Sequence, residues 1–421
     1  MSDSHLEAAV RIGHRLVDEA IWHEGRCNWV GASPQEGPGG SLAITYSALG
    51  PDLYGGTSGV GLFLAELCRV TGERELQRTA IGALRQALSS ATDLPEDARP
   101  SLYGGGLGIA LAAALQGRIF DDEEAISGAL WLADVEPQPG GEWDLMGGDA
   151  GTILALLALG GLLGEEEGMR SQAIKFGANL LSGASAKEGI LSWASPGISG
   201  NPSLTGLSHG ASGCGLAFLE LWQQTGEPTF LAAAEGAFAY ERTLFDPQAA
   251  NWPDLRNETL APLGRRSFAT LWCHGAPGIS LARLRALELG DRDGPLREEA
   301  LTALATTRRA VESELAHGGN FSLCHGLAGN AEILREGALA LGEGRAEDGA
   351  LALQVAEEGI ERYGAPGHPW PCGTFEGETP GLFLGLAGIG RFYLRLHQPQ
   401  LPSLLSPRPA ALAAAGSALA G

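Results

Sequence analysis

Residues 54–67 read YGGTSGVGLFLAEL: two residues, the pattern Gly-x-x-Gly, then a stretch apolar at almost every position. A helix that is apolar all round has to be buried, and glycine at its start lets another piece of backbone come close. Working outward, the hexamer returns six times: YGGGLG from Tyr103, MGGDAG from Met146, SHGASG from Ser208, CHGAPG from Cys273, CHGLAG from Cys324 and FLGLAG from Phe383. The first glycines, Gly56, Gly105, Gly148, Gly210, Gly275, Gly326 and Gly385, are separated by 49, 43, 62, 65, 51 and 59 residues. Those spacings exceed the roughly 34 residues of the short helical repeats and suit two helices plus two loops.

Amphipathic segments lie between the hexamers. Leu76, Ala80, Leu84 and Leu88 recur at helical spacing, as do Leu301, Leu304, Val311 and Leu315. Asp293 and Pro295 supply a cap and a first-turn proline for the second of these. Strand-like alternation is scarce. Each unit therefore reads as an outer amphipathic helix, a loop, the glycine hexamer and an inner apolar helix. Seven units predict an all-α closed ring, seven inner helices surrounded by seven outer ones, because an open stack would expose apolar faces at both ends. An open superhelix is the structural alternative. In the ring, all the hexamers gather at one end.

Composition agrees with a folded helical protein. Of 421 residues, 44% are hydrophobic and 19% charged, which excludes a disordered chain. Glycine, 63 residues, stands at roughly twice its usual share, yet without a Gly-X-Y period, which excludes collagen. A net charge of −22 offers no broad basic surface, so nucleic acid is not an expected partner. The opening MSDSHLEAAV is no secretory signal, and a cytoplasmic location is expected. The uncharged stretch from Ala150 to Gly164 is shorter than the about 18 residues of a membrane span and reads as a buried helix. Gly37 to Gly40 form a loop without the lysine of a phosphate cradle.

The repeat departs from itself in three consecutive units. Units one to three carry Tyr-Gly, Tyr-Gly and Met-Gly before the first glycine, whereas units four to six carry Ser208-His209, Cys273-His274 and Cys324-His325. Cys273 and Cys324 share one register, so a ring brings them near each other. With His325 they make a candidate zinc set, since thiolate and imidazole are preferred ligands of that metal and three protein ligands leave a position open. The plainer reading makes each cysteine a small buried residue and each histidine a satisfied loop residue. Asp144 could orient a histidine or cap a helix. His274, beside a proposed ligand, is assigned to proton transfer or support. Cys372 could close the metal as a fourth ligand, which would make it structural. Cys27, Cys68 and Cys214 read as structural; His5, His14, His23, His317, His368 and His397 read as surface or loop residues.

Zinc with two thiolates and a neutral imidazole carries no net charge, so a thiolate bound at its open position stays nucleophilic. That favours attack of a thiol on an electrophilic carbon, with a nearby histidine protonating the carbanion; hydrolysis by bound water is the less natural chemistry. The segments YGGTSGVGLFLAEL, DLMGGDAG, GLSHGASGCG, LWCHGAPGIS, SLCHGLAGN and PGLFLGLAGIG, spread over residues 50–396, resemble the lanthionine synthetase C-like family of lanthipeptide cyclases. The WCHGAPG form looks most like the cyclase domains of class II and class IV synthetases. The resemblance implies an α/α toroid and zinc on Cys273, Cys324 and His325. It further implies addition of peptide cysteines to dehydroalanine or dehydrobutyrine, with His209 as acid/base and Asp144 near it. Some members carry an arginine four residues before the first zinc cysteine, where this chain has Ala269; the roles of Arg265 and Arg266 are open. Residues 1–400 are expected to form a single cyclase domain and 401–421 a mobile low-complexity tail. With the first unit beginning by Tyr54, no kinase, lyase or dehydratase domain precedes it, so a partner enzyme is expected to supply the dehydrated precursor peptide. Two alternatives remain: addition of a small thiol such as glutathione to dehydrated residues, or a non-catalytic peptide-binding scaffold with a closed zinc.

Overall fold

In the computed structural model, residues 2–36, 42–138, 140–195, 198, 200–256, 266–290, 294–374 and 377–419 are described. The loop at Gly37 to Gly40, Arg265 and Asp293 lie outside them; Gly294 occupies the helix cap expected of Asp293, followed by Pro295 in the first turn. Each of the seven first glycines is the N-cap of an apolar helix: α2 (Thr57–Thr71), α4 (Gly106–Phe120), α6 (Asp149–Leu163), α8 (Ala211–Thr225), α10 (Ala276–Leu289), α12 (Leu327–Leu341) and α14 (Leu386–His397). These touch their neighbours in that order, and α14 returns to α2, so the ring is closed. The outer layer is α1 (Ser2–Asp18), α3 (Arg74–Ala91), α5 (Glu123–Leu132), α7 (Glu166–Ser182), α9 (Pro228–Leu244), α11 (Pro295–His317) and α13 (Ala346–Tyr363). Among the described residues the only sheets are three two-stranded antiparallel hairpins.

The sequence reading paired each outer helix with the inner helix after it. The structure pairs each inner helix chiefly with the outer helix that follows, leaving α1 to pack on α14. The chain's two ends thus complete one unit.

Backbone closes the ring as well. Tyr54 N–H donates to the carbonyl of Tyr103 (3.0 Å), Tyr103 to Met146 (3.1 Å), Met146 to Ser208 (3.2 Å) and Ser208 to Cys273 (3.2 Å). The circuit continues from Trp272 to Cys324 (3.0 Å), Cys324 to Phe383 (3.0 Å) and Phe383 back to Tyr54 (2.8 Å). In six of the seven links the residue that opens the hexamer is fixed to its counterpart in the next unit; in the fifth, Trp272, the residue before Cys273, makes the bond, and main chain holds Cys273 and Cys324 in neighbouring positions.

The glycines serve proximity more than unusual dihedrals. Six of the seven N-cap glycines have negative φ; only Gly275 is positive, at 84°. At Gly388, the second glycine of its hexamer, a Cβ would lie 1.8 Å from the carbonyl oxygen of Leu382 and 3.0 Å from Leu323 of the neighbouring unit. Only a residue without Cβ lets the inner helices start this close together.

The segment after residue 400 is not a loose tail. Leu401, Leu404 and Leu405 are buried and belong to the main core. The Leu404 carbonyl accepts the Tyr103 hydroxyl (2.7 Å), the Leu405 carbonyl accepts the Trp272 indole N–H (2.8 Å), and Ser403 donates to Glu332 (2.6 Å). α15 (Pro409–Leu419) then packs on α6 and α4. The partners Tyr103, Trp272, Glu332 and Arg391 come from four different units, so this segment runs through the lumen of the ring. No helix among the described residues is long and apolar enough to cross a membrane.

Candidate active site

The loops at the N-termini of the inner helices carry the chemistry-bearing side chains. Cys273, half-buried, and Cys324, buried, sit one unit apart, close enough for each thiol to shift the ionisation of the other. That interaction holds Cys273 below its ordinary value against burial and, with burial, pushes Cys324 well above its own. The Tyr54 hydroxyl lies near Cys324, which with burial raises its pKa well above the ordinary value, while its ring stacks on Phe383 at 4.9 Å.

His325 and Cys273 line one cavity of about 930 Å³ with Tyr54, Arg256, Trp370 and Gly373. The Nε2 of His325 lies 2.9 Å from the Gly373 carbonyl. A carbonyl only accepts, so Nε2 carries the proton and Nδ1 keeps its lone pair, the arrangement that second-sphere bonds impose on metal-binding imidazoles. Burial lowers the His325 pKa and keeps the ring neutral. Among the described residues, no group of three or more His, Cys, Asp or Glu side chains is placed to hold a metal ion. The donor set nevertheless fits zinc in kind: the Cys273 thiol and a neutral His325 imidazole with a fixed tautomer line the same cavity, and the Cys324 thiol interacts with Cys273. Cys372 lines that cavity too, but its buried thiol turns to the Thr379 carbonyl and burial pushes its pKa up to about 12.

His209 stands nearby. Its Nδ1 lies 2.6 Å from Asp144 Oδ2, while Asp144 Oδ1 accepts the N–H groups of Gly147 (2.8 Å) and Gly148 (3.2 Å). Asp144 thus orients a histidine with one oxygen and holds the turn that leads into α6 with the other. The carboxylate fixes the proton on Nδ1 and leaves Nε2 as the acceptor. Burial opposes protonation of His209, but the bond to Asp144 and its charge outweigh burial, so the pKa rises above its usual value. His274 lies against His209, ring centroids 5.7 Å apart. Burial and Arg256 lower its pKa to about 3, and neither ring nitrogen has a hydrogen-bond partner. It is a neutral ring that supports His209 from one face.

Two residues escaped the sequence reading. Tyr54 looked structural because its unit is bland; ring closure places unit one beside unit seven and within reach of Cys324. Arg256 lies in an irregular stretch between α9 and α10, with no periodicity to mark it. It is held by Asp254 through two bonds, Nε–Oδ1 at 3.0 Å and Nη2–Oδ2 at 2.7 Å. The remaining cysteines read as structural are buried and bond main-chain carbonyls: Cys27 to Thr79, Cys68 to Glu73 and Cys214 to Trp143. Among the histidines assigned to the surface, His5 is instead buried, 6.2 Å from the Tyr393 ring.

A helical toroid with paired thiols and histidines on one end defines a class, and comparison assigns the chain to it. The model of the family described as lanthionine synthetase C-like protein matches residues 47–407, and the chain belongs to this family. The structure of nisin cyclase superposes with a TM-score of 0.58 at 20% identity, covering 86% of this chain and 92% of that one, which establishes a shared fold. The lacticin 481/lactococcin biosynthesis protein LcnDR2 of Lactococcus lactis subsp. lactis is 26% identical over 136 residues. That match takes in 31% of this chain and 14% of LcnDR2, so the chain spans only a small part of that relative's length.

Proposed function

We propose that the chain is a zinc-dependent lanthipeptide cyclase, closing thioether rings by adding peptide cysteine thiols to dehydroalanine or dehydrobutyrine. The observation that carries this reading is the placement of the Cys273 thiol, from one unit of the ring, beside Cys324 of the next and close to a histidine whose tautomer is fixed by Asp144. Cys273, Cys324 and the Nδ1 of His325 would hold zinc, which when bound supplies a Lewis acid that keeps a substrate sulfur in its thiolate form. His209 Nε2 takes the thiol proton and returns it to the α-carbon once the carbon–sulfur bond has formed. Asp144 keeps that nitrogen facing the cleft, and His274 limits the ring's motion. The turn of Cys372 toward Thr379 supports an open coordination position over a closed structural one.

The substrate class is a dehydrated precursor peptide, made by a dehydrating activity. Ring closure leaves peptide mass unchanged and consumes a thiol, whereas addition of glutathione raises the mass. A synthetic peptide with one cysteine and one dehydroalanine, incubated with protein and zinc and then treated with iodoacetamide, tests the reading. Loss of alkylatable thiol at constant mass is expected. Metal analysis should find about one zinc per chain, lost in Cys273→Ala; less than half an equivalent, unchanged by that substitution, would overturn the zinc assignment.

A further inference from the structure

We infer that Arg256 is the group that receives negative charge from the dehydrated residue, binding the carbonyl oxygen of that residue as it becomes an enolate. The inference rests on the cyclase reading and deepens it. Arg256 lines both cavities of this face. One, about 930 Å³, contains Cys273, Tyr54 and His325. The other, about 220 Å³, contains His209, Asp144, Trp143 and Trp193. The guanidinium therefore stands where the nucleophile's side of the cleft meets the proton donor's side.

The reaction demands a cation at that point. As the sulfur bonds to the β-carbon, the carbon–carbon π pair moves to the α-carbon and on to the carbonyl oxygen, forming the enolate. The enolate collapses when the α-carbon takes the proton held on His209, restoring the carbonyl; thiol and dehydro residue become a thioether with no atom gained or lost. Sulfur, α-carbon and oxygen of one residue must then face three groups at once. His209 serves the α-carbon, the thiol cavity serves the sulfur, and Arg256 lies between them.

Its construction suits the task. The carboxylate of Asp254, itself buried at 7% exposure, grips Nε and Nη2, and its Oδ1 also accepts the Arg256 N–H at 3.2 Å. Nη1 has no hydrogen-bond partner among the described residues, while the side chain remains 39% exposed. A donor fixed in advance and aimed at developing charge loses little to reorganisation.

The test uses the full chain with zinc and the synthetic cysteine–dehydroalanine peptide, followed by iodoacetamide. Arg256→Gln should lower kcat by about 10²-fold with KM changed little, the loss typical of removing one such donor. Arg256→Lys, which keeps charge without the fork, should recover about a tenth of the wild-type rate. Because Arg256→Gln strands the buried Asp254, the double variant Asp254→Asn/Arg256→Gln is measured too, and it should fold, bind zinc as the wild type does and show the same kcat loss. Millimolar guanidinium ion should restore part of the rate to Arg256→Gly, which a purely structural role would not allow. Wild-type kcat in the folded glutamine variants, or a change in KM alone, overturns the assignment. A wild type that consumes no thiol overturns the cyclase reading itself, and this role with it.

Discussion

Asp144 divides its two oxygens between the glycine turn before α6 and an imidazole, so a small change there disturbs both the loop and the chemistry. In Asp144→Asn the amide can present either a donor or an acceptor to His209 Nδ1, and the wrong choice inverts the tautomer that puts an acceptor in the cleft. We expect thiol consumption to fall by about 10²-fold or more while zinc content holds; loss of zinc would show that Asp144 acts on the metal set instead. His209→Asn should likewise keep zinc and lose rate. Asp149, three residues after Met146, has a different significance. Burial raises its pKa to about 7, only partly offset by the Asn179 amide 2.7 Å away. Between the ordinary carboxylate value near 4 and about 7, the folded chain keeps a proton that the unfolded chain has lost. Stability therefore falls as pH rises through that window, and the penalty is complete above it. Asp149→Asn keeps the shape and the bond to Asn179. It should unfold with the wild type near pH 4.5 and be more stable by about 1–3 kcal/mol at pH 8, a difference that urea titrations at the two pH values measure directly.

At the level of the helix and its loop, the glycine hexamer is a device for crowding inner helices, and its demands differ from copy to copy. Gly275 combines φ of 84° and ψ of −160°, a region open essentially to glycine alone, with a Cβ position 1.8 Å from the Ala269 carbonyl oxygen. Gly275→Ala should therefore cost about 3 kcal/mol or more and displace the loop that holds Cys273. Gly168, exposed within α7 with nothing within 4 Å of its added Cβ, is the contrasting position. There alanine should stabilise by about 0.5–1 kcal/mol through helix propensity and a less flexible unfolded chain. If both substitutions prove neutral in chemical denaturation, the hexamer glycines are not serving close approach. The contrast explains why the repeat was legible: close main-chain packing tolerates no side chain, so its requirement is written as glycine at fixed spacing.

For the molecule as a whole, what could be read from residues was whatever repeats. The seven buried helices, the outer layer and the shared register of Cys273 and Cys324 all follow from the hexamer. The pairing of α1 with α14, the reach of Tyr54 to Cys324 and the placement of Arg256 depend on closure in three dimensions and leave no periodic trace. Composition misled at the C-terminus, where LLSPRPAALAAAGSALAG looks low in complexity yet fills the lumen. Ending the chain at Gln400 would strip out buried Leu401, Leu404, Leu405 and Leu412, each contributing about 1.5–3 kcal/mol. It would also leave the Tyr103 hydroxyl and the Trp272 indole without their acceptors, at about 1–3 kcal/mol each. The sum matches or exceeds the roughly 5–15 kcal/mol by which whole proteins are stable, so this truncation should yield no cooperatively folded chain. Ending at Arg408 instead retains the lumen segment and the contacts of Arg408 with Glu288 and Glu336, removing only α15. That chain should fold with a lowered Tm. Thermal melts followed by circular dichroism rank the three lengths, and a 400-residue chain melting within a few degrees of the full one would show that the lumen does not need its plug.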